Sequence, residues 1–353
     1  MDLELKPFSS INLENQFFDS LKAAYPEFSD WYNRKAREGA MAYVFHNHSG
    51  EVKDFLYLKI ETDALVDVTP VLEAKKRLKV GTFKLLSRGT RRGERFMKKI
   101  MDKAMTEDVD EVYVTIFPTE ELMYLIRLFG RFGFNHIADK PHDGGMAEWV
   151  MVKDMRVVKG DIMKDYPRMQ TAAHKKWLLA IKPEFHTQLF PDSILQTESY
   201  DMVKDITPTN GIYKIYISWN ADCIQMKKGD HVVIYRTNDG LGPAQYRSVV
   251  TTVCTVHDVK AWGDFENEEA FIDYTKYSVF SEPDLRSWVR RNHNMVVIKM
   301  LYNVAFTKRV IRKDLIEQVG LDAQARWSLL PLTDEQFKKI IDLGKADERY
   351  IID

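Results

Sequence analysis

A short loop combines three arginines with two glycines and leads directly into a predicted helix. The segment Arg88-Gly89-Thr90-Arg91-Arg92-Gly93 follows a strand-like run and precedes apolar residues spaced as on one face of a helix. The first turn of a helix has unpaired N–H groups and a partial positive charge, and glycine lets a backbone approach a ligand. Each arginine adds a positively charged guanidinium group that can donate two parallel hydrogen bonds to a phosphate. The loop therefore predicts a phosphate site, although a solvated basic loop would have the same composition.

The composition of the chain narrows the classes of function. Its 353 residues have a formal net charge of −1, so any basic surface for nucleic acid must be local. Cys223 and Cys254 have no CxxC or Cys/His metal spacing, which predicts reduced core thiols and no metal site. The N-terminal run "MDLELKPFSS" has no apolar signal segment, and no apolar run approaches the length of a membrane span. We therefore expect a cytoplasmic protein without a membrane partner.

Residues 1–153 read as a mixed α/β domain. The predicted strands are "LELKPF", "AMAYVFHN", "DFLYLKIE", "LKVGTFKLL", "EVYVTIF", "GFNHIAD" and "AEWVMVKD". The predicted helices are "ENQFFDSLKAAY", "EFSDWYNRKAREG", a segment from the Arg-Gly loop through Ala104, and "EELMYLIRLFGRF". This order predicts a mixed central sheet with helices packed on it.

Two further regions follow. Residues 154–210 have proline turn signals between apolar pieces, which predicts a packed connector, and "TPTNG" at 207–211 is the sharpest boundary signal. Residues 211–353 are rich in β-branched and aromatic residues, with two helices between the strands and a final helix beginning after Thr333. Many short strands with few helices predict a small β-barrel.

The first region resembles the GNAT family of acyl-CoA-dependent N-acetyltransferases. Its pyrophosphate signature, Q/R-x-x-G-x-G/A, falls on Arg88 through Gly93, with Arg91 in place of the middle glycine. The run "LIRLFGRFGF" resembles the family segment that ends in Tyr-x-x-x-Gly-Phe, but Phe129 stands at the tyrosine position and cannot protonate a leaving thiolate. Tyr124, about one helical turn earlier, is the substitute general acid.

The resemblance implies that acetyl-CoA lies along the strand that ends near Leu86. Backbone N–H groups near Phe83 and Leu85 would polarise the acetyl carbonyl, as an oxyanion hole does. The predicted cofactor-binding residues are Phe83, Leu85, Arg88, Gly89, Thr90, Arg91, Arg92, Gly93 and Glu94. Glu61 is the candidate general base and His46 a weaker one, while ion pairing or packing would equally explain both.

The last region resembles PUA-like domains, the superfamily that includes ASCH and EVE modules. "MKKGDHVVIYRT" resembles their K-x-G-D entry to a strand. The resemblance implies RNA or a modified base bound through arginine, lysine and tryptophan, and a solvated basic face is the alternative. The residues suited to such binding are Arg236, Arg247, Lys260, Trp262, Trp288, Arg290, Arg291, Lys308, Arg309, Arg312, Arg326 and Trp327.

Three interpretations follow. The first is an acetyltransferase that acts on an RNA-linked amine, with tRNA as a partner presented by the PUA-like domain. The second is a degenerate acetyltransferase that serves as a nucleic-acid-binding or toxin–antitoxin regulatory protein, with an antitoxin-like protein as its partner. The third is an acetyltransferase for a protein or small molecule, whose C-terminal domain supports assembly.

Overall fold

The chain forms two compact units, described here from a computed structural model. The structure describes residues 3–47, 49–86, 91–142, 145–190, 211–291 and 294–352. Within those ranges, the first unit extends to Lys164 and the second begins at Asp165. Residues 154–164, predicted as the start of a connector, thus belong to the first unit, and 165–190 belong to the second. Most of "TPTNG" lies outside the described residues.

The first unit is built on a seven-stranded mixed sheet with the order β1-β2-β3-β4-β5-β7-β6. Its strands are β1 (Leu3–Pro7), β2 (Met41–His46), β3 (Val52–Glu61), β4 (Arg77–Leu85), β5 (Glu111–Ile116), β6 (Asn135–Lys140) and β7 (Glu148–Asp154). Only β4 and β5 pair in parallel among these strands. A parallel pair requires a crossover, which here contains a helix.

Helices cover both faces of this sheet. They are α1 (Asp19–Ala24), α2 (Phe28–Arg37), α3 (Arg92–Thr106) and α4 (Met123–Arg131), with 3-10 turns at Phe8–Ser10, Gln16–Phe18 and Glu120–Leu122. On one face, Phe18 and Tyr32 pack with Phe55 of β3 in an apolar cluster. On the other face, Phe96 of α3 contacts Phe83 of β4, with ring centroids 5.4 Å apart. The two faces are distinct because successive strand residues point to opposite sides.

The second unit contains a six-stranded sheet with the order β10-β13-β12-β11-β9-β14, and a two-stranded sheet of β8 and β15. Its strands are β8 (Met169–Gln170), β9 (Lys176–Ile181), β10 (Tyr213–Ser218), β11 (His231–Arg236), β12 (Val249–Ala261), β13 (Val296–Ile311), β14 (Leu329–Leu332) and β15 (Ile351–Ile352). Its helices are α5 (Pro183–Leu189), α6 (Ala244–Arg247), α7 (Glu268–Thr275), α8 (Glu282–Arg291), α9 (Arg312–Glu317) and α10 (Asp334–Gly344).

Strand β9 lies in the segment that the sequence predicted as a connector. It pairs in parallel with β11 and antiparallel with β14. Leu178 and Leu179 are both buried, and they belong to two apolar clusters on opposite faces of the sheet. A strand that is buried on both faces has a continuous apolar sequence, which a local pattern does not separate from a packed connector.

The described strands do not show a closed barrel. They form a mixed sheet in which β10 and β14 are the edge strands, and no pairing joins these two edges in the described part of the chain. Register shifts along β12 bend its long pairing with β13. The predicted cap of the last helix is confirmed, because Thr333 and Gln336 form a capping box at the start of α10.

Candidate functional site

The parallel strands β4 and β5 separate halfway along their length. Arg77 through Val80 pair with Glu111 through Val114. Beyond these residues β4 continues to Leu85 and β5 to Ile116, but the two strands no longer pair with each other. We call the paired half the closed end and the separated half the open end. A separation between neighbouring strands exposes backbone groups that a sheet would normally pair.

A β-bulge at Gly81 marks the start of the open end. Tyr57 pairs with Thr82 and Leu58 pairs with Val80, so Gly81 is the extra residue on β4. A Cβ atom at this position would lie 2.8 Å from Cδ1 of Tyr57, which explains why glycine is present. The bulge redirects β4 at the residue where it departs from β5.

Backbone donors of β4 point into the open end. The N–H of Leu86 donates to the carbonyl of Lys53 on β3 at 3.1 Å. Because N–H groups alternate in direction along a strand, those of Phe83 and Leu85 point away from β3. Within the described residues no strand pairs with them on that side. The Phe83 side chain itself packs against Phe96, so only its backbone faces the open end.

Helix α3 begins directly beside this strand end. Its N-cap residue, Arg91, has φ −74° and makes no side-chain cap hydrogen bond. This φ is accessible to any residue, so arginine at the glycine position of the family motif causes no backbone conflict. The first turn of this 15-residue helix has the geometry with which helix N-termini bind anions. Ser87 through Thr90, including the predicted residues Arg88, Gly89 and Thr90, lie outside the described residues.

A buried carboxylate connects the residues on either side of that loop. Asp54 is fully buried, and its Oδ1 accepts the Leu86 N–H at 3.1 Å. Its Oδ2 lies 2.8 Å from Nη1 of Arg92. Arg92, predicted as a phosphate ligand, is thus engaged with Asp54, and this pair fixes the end of β4 relative to the start of α3.

Gly93 and Glu94 have structural neighbours of their own. A Cβ atom at Gly93 would lie 3.0 Å from Cδ2 of Leu128 on α4, so glycine permits close packing of α3 and α4. Glu94 lies between two cations, with Arg91 at 3.9 Å and Arg131 at 3.8 Å. These protein contacts are enough to explain a glycine at position 93 and a glutamate at position 94, without a bound ligand.

Glu61, the predicted general base, lies at the closed end. It pairs in register with Arg77, which is six residues before Phe83, or about 20 Å along an extended strand. Its carboxylate accepts hydrogen bonds from Tyr113 and from Lys59. Burial alone would raise the pKa of Glu61, but those contacts and the nearby charge of Lys79 lower it below its ordinary value. The structure therefore does not bring Glu61 together with the amides of Phe83 and Leu85.

The predicted proton donor and the residue at the motif tyrosine position both lie on α4. Tyr124 is half-buried in the first turn of the helix. Phe129 is fully buried, with ring centroids 5.4 Å from Phe83 and 4.9 Å from Phe134. Phe129 thus has a packing role between α4 and β4.

Four residues that the sequence analysis missed gather at the ends of β5 and β7. The Tyr25 hydroxyl donates to Oε1 of Glu148 at 2.8 Å, and Glu148 is only 4% exposed. The Phe117 ring lies 5.9 Å from Tyr25 and 5.2 Å from the ring of His142. Burial, and then the charge of Glu148, raise the pKa of Tyr25. We call these four residues the ring–carboxylate cluster. No local sequence signal reveals it, because its members come from four separate segments.

The residues predicted to bind nucleic acid form two groups at opposite ends of the β12–β13 pair. One group lies near the pairing of Val249 with Ile311 and comprises Arg236, Arg247, Lys308, Arg309, Arg312, Arg326 and Trp327. The other lies near the pairing of Ala261 with Val296 and comprises Lys260, Trp262, Trp288, Arg290 and Arg291. Val249 and Ala261 are twelve residue steps apart on β12, at most about 40 Å, so the two groups do not form a single site.

Most arginines of the first group already contact protein atoms. Arg236 and Arg247 both contact the carboxylate of Asp239. Arg309 donates to the carbonyl of Thr251 at 3.1 Å, and the guanidinium of Arg312 lies 4.0 Å from the Trp327 ring centroid. The positive charge of this first group also affects the buried imidazole of His186. Burial, and then Arg236 and Arg309, lower the pKa of His186 to about 3.

The second group combines aromatic packing with exposed arginines. Trp288 contacts Trp219 and Phe280, with centroids 4.9 and 4.4 Å away. Lys260 lies over the rings of Phe265 and Tyr274, at 5.4 and 5.0 Å. Arg290 and Arg291 are exposed on α8 and line a surface depression together with Arg286 and Glu282.

The described residues contain neither a candidate membrane span nor a candidate metal cluster. No helix there is both long and apolar enough to span a bilayer. No group of three or more His, Cys, Asp or Glu side chains that could hold a metal ion occurs there.

Comparisons with known proteins identify similar solved structures. No family model matches the sequence, and no curated protein matches it. The structure of ASCH from Zymomonas mobilis is 13% identical, with a TM-score of 0.34, and covers 49% of this chain and 96% of that chain. A putative GnaT-family acetyltransferase from Bordetella pertussis is 18% identical, with a TM-score of 0.31, over 43% of this chain and 94% of that chain. A chain of the NatC complex bound to Gag peptide and CoA is 15% identical, with a TM-score of 0.30, and the match covers 43% of this chain and 98% of that chain.

Proposed function

We propose that the protein is an N-acyltransferase that transfers an acyl group, with acetyl as the first candidate, from acyl-CoA to an amine. The observation that supports this most strongly is the open end of β4 and β5. There, two backbone N–H groups face a gap in the sheet, next to the N-terminus of a helix without a side-chain cap. The family resemblance of the loop at Arg88–Gly93 supports the same function.

The open end has groups that could bind both the thioester carbonyl and the pyrophosphate of an acyl-CoA. The amides of Phe83 and Leu85 would donate to a thioester carbonyl and stabilise the oxyanion that forms on attack. The first turn of α3 and the preceding loop would hold the pyrophosphate. Asp54 would position that loop through Leu86 and Arg92. Acyl-CoA, when bound, supplies the acyl group as a thioester.

The motif tyrosine position does not supply a proton donor for the departing thiolate. Phe129 has no proton to give, so Tyr124 on the same helix is the proposed donor. Holding the two reactants together supplies much of the rate acceleration in such a reaction, so a strong acid is not essential.

Release of the CoA thiol tests the proposed activity. The full-length chain is incubated with acetyl-CoA and a panel of amines, and free thiol is detected with a chromogenic disulfide. Cys223 and Cys254 are both buried, so the background from the protein is low. We expect thiol release that depends on amine and enzyme. Thiol release no faster than uncatalysed hydrolysis for every amine would argue for a degenerate transferase domain that acts as a binding or regulatory protein.

The acceptor in our finer proposal is an amine linked to RNA, with tRNA as the first candidate. The supporting observation is the group of arginines near the Val249–Ile311 pairing, where burial, and then Arg236 and Arg309, lower the pKa of His186. Its test is tRNA retention by the full-length chain at low salt, with Arg309→Ala and Arg312→Ala as variants. We expect retention that falls with added salt and in both variants, since phosphate contacts release counterions. Salt-independent retention or none would favour a protein or small-molecule acceptor.

A further inference from the structure

We infer that the acceptor amine reaches the open end as an ammonium ion and that the ring–carboxylate cluster of Tyr25, Phe117, His142 and Glu148 binds it. This inference rests on the proposed function and defines the class of its acceptor. The ligand is a primary alkylammonium, with the cation against Glu148 and the carbon adjacent to it against the rings.

The position of the cluster supports this assignment. Val80 and Val114 are the last paired residues of β4 and β5. Phe83 follows Val80 beyond the Gly81 bulge, and Phe117 comes directly after β5, so both residues lie at the open end. Glu148 lies on β7, one residue beyond the pair formed by Ile116 and Trp149. The cluster thus lies at the open end, where β5 has separated from the strand whose amides would hold the acyl carbonyl.

The charge of Glu148 has no described counter-ion. The carboxylate is 4% exposed and accepts one hydrogen bond from the neutral Tyr25 hydroxyl. Lys140 is its sheet neighbour in register, but the Lys140 ammonium lies 2.7 Å from Asp67. No second donor to Glu148 occurs within the ranges that the structure describes. Because a buried carboxylate is stable only when compensated, a cationic ligand would stabilise it.

The rings complete a site for a cation with an apolar neighbour. Tyr25, Phe117 and His142 are each half-buried, and each lies within 6.0 Å of the other two, measured between centroids. Aromatic faces attract an ammonium ion and pack against alkyl or aryl carbons. The same carboxylate repels phosphate, so the nitrogen that reacts must be separated from any phosphate of the acceptor.

The bound ammonium fits the chemistry of acyl transfer. It loses one proton to the Glu148 carboxylate, and the neutral amine attacks the thioester carbonyl carbon. A C–N bond forms and the C–S bond breaks. The amine releases two protons in all: one is passed on from Glu148 and ends on the thiolate, and the other leaves to solvent, so the products are an amide, the free thiol of CoA and one proton.

Binding of an unreactive cation tests the site without requiring transfer. Benzyltrimethylammonium cannot be acylated, and benzyl alcohol is a neutral control. Binding of each to the full-length chain is followed by NMR of the ligand. We expect the cation to bind more tightly than the alcohol, and to lose at least about tenfold in affinity in Glu148→Gln, a change of about 1.4 kcal/mol.

The variants are chosen so that misfolding and function are separable. Glu148→Gln keeps the shape and can still accept from Tyr25, and Tyr25→Phe keeps the carboxylate and should retain most cation affinity. Glu107→Gln, at the C-cap of α3, is the matched control and should change nothing. Equal affinity for the cation and the alcohol, absence of cation binding to the wild type, or an unchanged Glu148→Gln would overturn the inference. Loss of acetyl-CoA binding in the wild type would instead overturn the proposed function.

Discussion

The two ends of the β4–β5 pair are built in opposite ways. At the closed end, Arg77 and Glu111 are both buried and their side chains meet at 2.7 Å. At the open end, the N–H groups of Phe83 and Leu85 face a gap, and buried Glu148 has only a neutral donor among the described residues. The buried charges at the closed end therefore compensate each other, while the Phe83 and Leu85 amides and Glu148 lack such compensation within the described residues.

This difference separates stability from binding along a single pair of strands. Buried polar groups in folded proteins are almost always hydrogen-bonded, so a cluster that is incompletely compensated indicates a place where a ligand completes it. A fully paired network, by contrast, fixes the sheet and leaves nothing for a ligand. The following changes test this contrast.

The largest expected effect comes from the closed end. Glu111→Ala leaves the Arg77 guanidinium buried without its carboxylate, and we expect the free energy of unfolding to fall by about 3–5 kcal/mol. Urea denaturation measures this change. Glu107→Ala removes a partner from a half-exposed pair with Lys103 and should cost about 1 kcal/mol or less. An equally small loss in both variants would contradict the proposed role of the closed end.

The next effect comes from the bulge that opens the strand pair. In Gly81→Val, the new side chain meets the Tyr57 ring, which is itself packed 5.1 Å from Phe8. We expect a loss of about 1–3 kcal/mol in the free energy of unfolding, together with weaker acetyl-CoA binding. The Tyr57→Ala background makes room for valine, so a double-mutant cycle should show a smaller cost there. If the stability losses of Gly81→Val and Tyr57→Ala were simply additive, the Tyr57 ring would not be what obstructs the valine side chain.

A smaller effect should follow from releasing the loop anchor. Asp54→Asn weakens the contact with Arg92 while keeping the shape of the side chain. We expect the Kd for acetyl-CoA to rise about tenfold, or 1.4 kcal/mol, in calorimetric titration. Asp102→Asn removes a carboxylate that pairs with Lys98 further along α3 and should leave the Kd unchanged. Equal affinities of Asp54→Asn and wild type would exclude a positioning role.

The smallest effect on catalysis is expected at Glu61. Because Glu61 lies at the closed end, Glu61→Gln should change the rate of acyl transfer by less than about twofold, whereas loss of a general base costs about 100-fold or more. The rate at saturating acetyl-CoA, measured beside Glu148→Gln, decides between these outcomes. A loss of rate of about 100-fold in Glu61→Gln would support Glu61 as the general base.

The pH dependence of stability gives Glu61 a second, independent test. Its pKa is lowered in the folded state, so its stabilising contribution is present above its ordinary pKa of 4.5 and is lost as the pH falls through the folded value. The wild type should thus be more stable than Glu61→Gln at pH 7, and the difference should shrink in acid. A difference that is independent of pH would indicate a packing defect instead.

The order of elements in the first unit could be predicted because its signals are local. Alternation of apolar residues indicated the strands, and the stripe of Phe96, Met97, Ile100 and Met101 indicated α3, which the structure confirms. The Arg-Gly loop was predicted between β4 and α3 for the same reason. In the second unit, β9 was missed because its pairing partners lie far away in the sequence.

The candidate site could be predicted only in part. A family motif indicated the loop and the strand beside it. Asp54, by contrast, begins an ordinary apolar strand in the sequence, and only the fold brings it between Leu86 and Arg92. Glu148 likewise resembles a polar residue at the start of a strand. Its burial depends on Tyr25, which is 123 residues away in the chain.

Calorimetric titration of acetyl-CoA into the full-length chain tests the central claim most directly. If the open end is an acyl-CoA site, the wild type should bind one equivalent with a Kd in the micromolar range, about −8 kcal/mol. Arg88→Ala should bind more weakly, and Lys103→Ala, at the far end of α3, should bind as the wild type does. Absence of binding by the wild type, or equal binding by Arg88→Ala, would contradict the claim that this loop and the gap between β4 and β5 hold a CoA thioester.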